Sequence, residues 1–365
     1  MRLASVSIAA ALFALLGCGG AANNAECLGG DTYPDEGFAT NAAAELSLRA
    51  QLKALNDRMK AAEADLLVKP TAAELQALYE AGSPSLSSVA APSFSATMPA
   101  LFTAFEAAAG NTWTPAEPPV GAGGQFGTWI FSERGVDLRQ AEEKGFFGAG
   151  HYAEAVQLMK GDVTPATVDR ILALYGANPS FPMDDKAMVN PDVHSAVYAK
   201  RRTNPAAATP GPYLAIKRAF IDARAAAAKG TACAATRDQA FATIRAEWER
   251  ALIGTVVFYL NDAAAKLERN NATAAEKASA QHGYGEGVAF LQGLRAVPPD
   301  ARVITDAEID DVLSTVLSPW AQPATAYKLQ TDPISSVPHL ATGIGKIQSA
   351  WNFTSDEVAN FKVNF

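Results

Sequence analysis

Helix-start signals recur along the whole chain and leave little room for any other fold class. Thr71/Glu74, Thr236/Gln239, Thr273/Glu276, Thr305/Glu308 and Thr354/Glu357 each set a threonine three residues ahead of a Glu or Gln. At that spacing the hydroxyl accepts from the later residue's amide while the later side chain reaches back to the threonine amide. Thr164-Pro165 adds another start, because proline at the first helical position has no amide to lose. Between the signals lie alanine-rich windows with apolar residues at three- and four-residue spacing, and no sustained run of alternating β-branched residues. The expected fold is all-α, a large helical bundle of two packed helical halves with long Pro/Gly-rich loops.

The pattern predicts helices over about 42–66, 71–81, 95–109, 136–160, 165–175, 212–229, 237–269, 274–294, 306–317, 336–351 and 355–361. Residues 110–127 read as one irregular loop. A second runs from 176 to 211 with prolines at 179, 182, 191, 205 and 210. It divides the chain into an N-terminal half, 33–178, a Pro-rich connection, 179–211, and a C-terminal half, 212–365. The longest helix carries Phe241, Ile244, Trp248, Leu252, Thr255, Tyr259 and Ala263 on one stripe, which marks it as the spine of the second half. In the first half Gly145, Gly148, Ala149 and Ala153 leave a shallow groove for another helix.

The first residues belong to an export signal. Arg2 is a basic lead, and Leu3–Leu16 is an apolar run too short to span a bilayer. It ends in Leu15-Leu16-Gly17-Cys18, which resembles the lipobox of bacterial lipoproteins. That resemblance implies a signal peptide over 1–17, acylation of Cys18 (palmitate among the chains), and an acylated tether over 18–32. Two or more acyl chains make a stable anchor. No Asp follows Cys18, so the expected address is the outer membrane, on its periplasmic or surface face, with the lipid anchor as the only contact with membrane.

Less Arg2, the 30 basic side chains number 29, against 38 acidic ones. An acidic chain without a basic cluster excludes nucleic acid as an expected partner. Beyond Cys18 only Cys27 and Cys233 remain. In an oxidising compartment an even pair suits a disulfide, though spacing alone does not decide whether the two meet.

Chemistry-bearing residues are few. His151 precedes Glu154 by three residues and His282 precedes Glu286 by four, so each pair shares a helical face and together they form a candidate set for one divalent or iron ion. The plainer reading of each pair is ordinary helix surface. His194 and His339 lack local support, and the chain holds no G-x-S-x-G, H-E-x-x-H, C-x-x-C or P-loop. Glu286 is expected to be at least half buried and held by a His, an Arg or a metal. Gly283, Gly285 and Gly287 around it each cost about 1 kcal/mol in a helix, and close approach of a helix or a ligand is the simplest reason for them.

Three stretches resemble the bacterial family called domain of unknown function 4856, whose members are mostly lipoproteins. They are Tyr33-Pro34 with the helix through Arg49 and Leu52; Val136-Asp137-Leu138-Arg139-Gln140 into Glu143-Lys144-Gly145-Phe146-Phe147-Gly148-Ala149; and Gln281-His282 through Glu286-Gly287, Phe290 and Leu294-Arg295, followed by the Thr305 helix and Ile347 to Phe353. A more distant likeness is to imelysin-type helical envelope lipoproteins, linked to iron uptake. Their G-x-H-x-x-E motif departs here: from Gly145, Phe147 and Gly150 stand for the His and Glu; from His151 and Glu154, Ala149 stands for the Gly. These resemblances imply a binding or accessory lipoprotein in metal (iron) or nutrient acquisition, holding a metal, a metal chelate or an envelope protein partner, with the family's own activity unknown and an enzyme the less expected reading. The alternatives are a structural or protein-interaction lipoprotein and a metal-dependent hydrolase, the latter needing a third ligand and a base that the sequence does not identify.

Overall fold

A computed structural model describes residues 24–365 apart from 208, 209 and 270; the signal peptide and Cys18 lie outside the described residues. Helices α1 (Ala43–Ala64), α2 (Ala72–Glu80) and α3 (Met98–Ala108) lead to an antiparallel hairpin, β1 (Gly124–Phe126) and β2 (Trp129–Phe131). Helix α4 (Leu138–Phe146) passes through a π-helical segment, Phe147–Tyr152, directly into α5 (Ala153–Lys160). Then come α6 (Pro165–Tyr175), α7 (His194–Arg201), α8 (Pro212–Ala228), α9 (Ala234–Leu267) and α10 (Ala274–Ala296). The chain closes with α11 (Asp306–Thr315), α12 (Pro333–Ala350) and α13 (Ser355–Phe361). The fold is an all-α bundle with one small hairpin.

Local chemistry explains most helix starts. Thr273, Thr305 and Thr354 form the full reciprocal cap with the glutamate three residues on, and Thr164 does so with Thr167. Thr71 accepts from the Glu74 amide, while the Glu74 carboxylate turns to Arg58 instead. Thr236 starts nothing, because α9 already begins at Ala234, straight from the 3-10 turn Gly230–Cys233. The structure differs from the sequence expectation in both long loops: 110–127 contributes β1, and 176–211 contains α7.

Ala251–Val257 of α9 and Gly283–Leu291 of α10 are buried without interruption. A helix buried on every side is a central one, and the rest of the bundle packs round this pair. One continuous apolar cluster joins side chains from both halves, among them Leu48, Phe102, Phe147, Ile171, Trp248, Phe290 and Ile347.

Across α10 lies the α4–π segment, and glycines set the distance. A Cβ on Gly293 would overlap the Gly145 carbonyl, and one on Gly148 would stand 2.6 Å from the Gly293 carbonyl carbon. Backbone meets backbone there.

Cys27 and Cys233 are joined by a disulfide, with Cα atoms 5.5 Å apart. Arg218 of α8 donates to the Gly29 and Gly30 carbonyls at 3.0 and 2.6 Å, and Asp222 accepts from the Gly29 amide at 3.0 Å. From Cys27 onward the 18–32 stretch is therefore fastened to the bundle. The bond closes a loop with a sequence separation of 206 residues. Replacing both cysteines with Ala is expected to lower stability by about 2–3 kcal/mol. Thiol titration of the denatured, unreduced chain lacking Cys18 should find no free thiol; two would contradict the bond.

Candidate functional site

Asp137 begins the site. As the residue before α4 it accepts from the Gln140 amide with one oxygen, at 3.0 Å, and takes His282 Nδ1 of α10 with the other, at 2.7 Å. Gly285 permits this, since a Cβ there would lie 2.6 Å from the Asp137 Cβ. On the outer side the Trp129 ring from β2 stacks on the imidazole, centroids 4.4 Å apart and planes within 13°. Trp129 reaches this place because Gly127, at φ +65°, and Thr128 turn the hairpin and pair Phe126 with Trp129. The His282 side chain keeps 17% of its surface exposed, so this edge of the site meets solvent.

Burial works against a charged His282, but the hydrogen bond and charge of Asp137, helped by Glu286, outweigh it and raise its pKa above the ordinary histidine value. A raised folded pKa gives stability that is complete below the unfolded value and lost as pH rises through the folded one. The stability advantage of the parent over His282→Gln should therefore be larger at pH 5.5 than at pH 9, by about 1–2 kcal/mol for a charge-assisted bond. Urea titrations at the two pH values check this; equal differences would mean that His282 is neutral at both.

One turn further along α10, Glu286 is 8% exposed. Its carboxylate stands 3.8 Å from His282 Nε2 and 3.7 Å from Lys144 Nζ of α4. Gln140, with its amide oxygen turned to the Arg139 guanidinium at 2.8 and 2.9 Å, donates to Glu286 at 3.2 Å. Lys144 is buried, 2.9 Å from the Glu143 carboxylate, with its ammonium over the Phe147 and Tyr198 rings at 5.2 and 5.4 Å. Burial opposes its charge, yet Glu143 and Glu286 hold its pKa above the ordinary lysine value. Arg139 bonds Glu143 at 3.2 Å, Glu63 of α1 at 2.7 Å and Asn56 at 3.0 Å. Burial and the charge of Asp137 push Glu63 up to about 7 against the pull of Arg139. The result is a continuous ionic chain through the interior, from α1 across α4 to α10. Arg139, Lys144 and the His282 imidazole alternate in it with the carboxyls of Glu63, Glu143, Glu286 and Asp137.

The expected partner of Glu286 was a His, an Arg or a metal; the structure supplies His282 and, beyond that expectation, Lys144. The four-residue metal set does not assemble. His151 sits in the π segment, where the wider turn carries it inward: its ring lies 5.0 Å from Phe146, 6.1 Å from Phe147 and 4.8 Å from His194. Glu154 is half-buried on α5, its carboxyl raised by burial and by Glu45 against the charge of Arg170. Among the described residues no three His, Cys, Asp or Glu side chains converge on a point that would hold a metal ion. His339 is exposed on α12.

Sequence reasoning missed Asp137, Lys144, Arg139, Glu63 and Trp129 as members of the site. Asp137 was findable, because an Asp three residues before Gln140 is a helix-start pattern. Trp129 was findable from Gly127-Thr128 between two short aromatic runs. Among the described residues the His282 ring has Asp137, Glu286 and Trp129 as its partners, and the arrangement orients an imidazole. Comparison with known protein families, with curated proteins and with solved structures finds no match to this chain.

Proposed function

We propose that the protein is an outer-membrane-anchored lipoprotein of the bacterial envelope, a binding or accessory protein in metal or nutrient acquisition rather than an enzyme. The resemblances of its helical stretches and of the Leu15–Cys18 motif support this reading. So does the Cys27–Cys233 bond, since disulfides form and persist in oxidising compartments. The observation that carries the binding role is the Trp129–His282 platform, an aromatic plane stacked on an imidazole that Asp137 orients and charges. Glu286 behind it is already neutralised by Lys144 and His282. A bare cation approaching there meets two positive groups. A small organic anion or an anionic metal chelate meets an imidazole whose pKa Asp137 raises, beside an aromatic face.

Two measurements test this. Expressed in a Gram-negative host, the parent should sediment with membranes and Cys18→Ser should not; retention of an uncleaved Cys18→Ser chain in membranes would mean a different anchor. Native mass spectrometry with elemental analysis should find a small bound species on the soluble Cys18→Ser chain purified from its own envelope without chelators. Trp129→Ala and His282→Ala should each lose it while keeping the helical circular-dichroism spectrum. A bare metal ion retained by both variants would overturn the site, and a clean protein in every preparation would leave the structural or protein-interaction role as the better account.

A further inference from the structure

Beside Phe147 a group of polar side chains lies in the interior without partners. His151 is fully buried, and neither of its ring nitrogens has a hydrogen-bond partner among the described residues. The Ser195 hydroxyl is likewise fully buried and unpartnered. Ser195 is the second residue of α7, whose first residue, His194, holds its ring 4.8 Å from that of His151. Helix α7 starts without any side-chain cap: Val193 precedes it, and offers no oxygen to the first-turn amides. His194 itself stands at φ +50°, a left-handed conformation that a non-glycine residue holds only where its surroundings impose it. From α1, the charge of Arg49 acts on both His151 and His194. Arg49 is partly buried and has no hydrogen bond or ion pair among the described residues.

Every one of these groups has a donor to give. An arginine fork, a serine hydroxyl, two imidazoles and the amides of a helix N-terminus have no side-chain hydrogen-bond partner among the described residues. An unmade hydrogen bond in a protein interior leaves the desolvation of that group uncompensated, so a cluster left bare in this way calls for an occupant. Asp192, the carboxylate whose charge acts on Arg49, is not available. Asp192 accepts from the Asn178 amide at 2.7 Å with one oxygen, and from Tyr213 Oη at 2.5 Å and Lys200 Nζ at 2.7 Å with the other. Glu286 and Glu143 are taken by Lys144. A cation is disfavoured, since the Arg49 charge and the positive end of α7 both repel it.

We propose that Arg49, His151, His194, Ser195 and the N-terminus of α7 form a binding site for a small oxyanion, of the class of inorganic phosphate, sulfate or a free carboxylate. Helix N-termini take such groups through their amides and dipole, and Arg49 supplies the planar fork that matches an oxyanion's edge. Arg49 and His194, both partly exposed, form the outer rim, and His151 and Ser195 the floor. Burial, with the Arg49 charge adding to it, holds His151 down to about 3, and burial holds Arg49 down to about 10 against the pull of Asp192. A bound anion would relieve both. The site shares no residue with the Trp129–His282 platform, so either stands without the other.

Isothermal titration of the soluble Cys18→Ser chain with inorganic phosphate, sulfate and acetate, against sodium chloride at matched ionic strength, tests the assignment. One equivalent of at least one oxyanion should bind, and chloride should not compete at equal concentration. Arg49→Gln, at the rim and therefore compatible with the fold, should weaken binding at least tenfold; His151→Gln should do the same wherever its circular-dichroism spectrum matches the parent. Phosphate or sulfate binding without acetate would assign a free inorganic anion, and acetate binding alone the carboxylate end of an organic ligand. No saturable oxyanion binding would overturn the proposal, as would binding unchanged in Arg49→Gln. Zinc binding that depends on His151, in place of oxyanion binding, would also overturn it.

Discussion

Gly293→Ala is expected to destabilise the protein by at least about 3 kcal/mol, a large effect for a single added methyl. The new Cβ would overlap the carbonyl of Gly145, and the neighbouring contact is also backbone, from Gly148 onto residue 293. A side chain can swing aside, but a helix backbone cannot do so alone. Helices α4 and α10 must separate, and the ionic chain between them must stretch with them. Gly345→Ala is the matched control. It also lies inside a helix, α12, with nothing within 4 Å of the added carbon. It should stabilise by about 0.5–1 kcal/mol through helix propensity and reduced freedom of the unfolded chain. Chemical denaturation of the two variants side by side decides the matter; losses of equal sign would mean that the crossing is looser than its geometry.

Lys144→Met should cost about 3–5 kcal/mol, the range for removing one member of a buried ion network. Met fills much the same volume, so the loss is electrostatic. Glu143 and Glu286 would be left facing each other without the ammonium that stands 2.9 and 3.7 Å from them. The pair variant Lys144→Met/Glu286→Gln separates charge from packing. It should recover at least half of the loss, because removing both members of a buried pair leaves less uncompensated charge than removing one. A double variant as unstable as the sum of the two single ones would show that the residues act independently, and that the 3.7 Å contact carries no coupling.

What could be read from the sequence was local. Thr273 and Glu276 are three residues apart, and nothing beyond that turn is needed for them to cap α10. The same holds for Thr305 and Thr354. Thr236-x-x-Gln239 carries the same signal and fails, because the turn ending at disulfide-bonded Cys233 already launches α9 three residues earlier. Helix α7 was hidden for the opposite reason. It has no cap, starts from a strained His194 and is flanked by prolines, so its stability comes from packing Ala196, Tyr198 and Ala199 into a core assembled elsewhere. The π segment was equally illegible: its composition, Phe-Gly-Ala-Gly-His-Tyr, fits an α-helix as well. Of the candidate site, the His282/Glu286 pair was visible from its spacing of four. Lys144 was not, since a lysine after two glutamates reads as a solvated face until α10 is laid across it. His151 and Glu154 show the converse failure, as a spacing of three means one face only where the helix keeps its ordinary pitch.

The bond between Cys27 and Cys233 also decides how the molecule bears a load. Tension on the chain ahead of Cys27 does not reach α1 first; it crosses the sulfur–sulfur bridge and enters the start of α9. That helix is 34 residues long, a rod of about 50 Å, clasped along much of its length by the rest of the bundle. A pull delivered at its end is shared as shear by all the side chains packed against it. Had the same pull arrived through the lead-in alone, it would have worked on the Arg218 clasp and then on α1, peeling contacts one after another. The lead-in at Cys27 is thus held by the longest helix of the bundle.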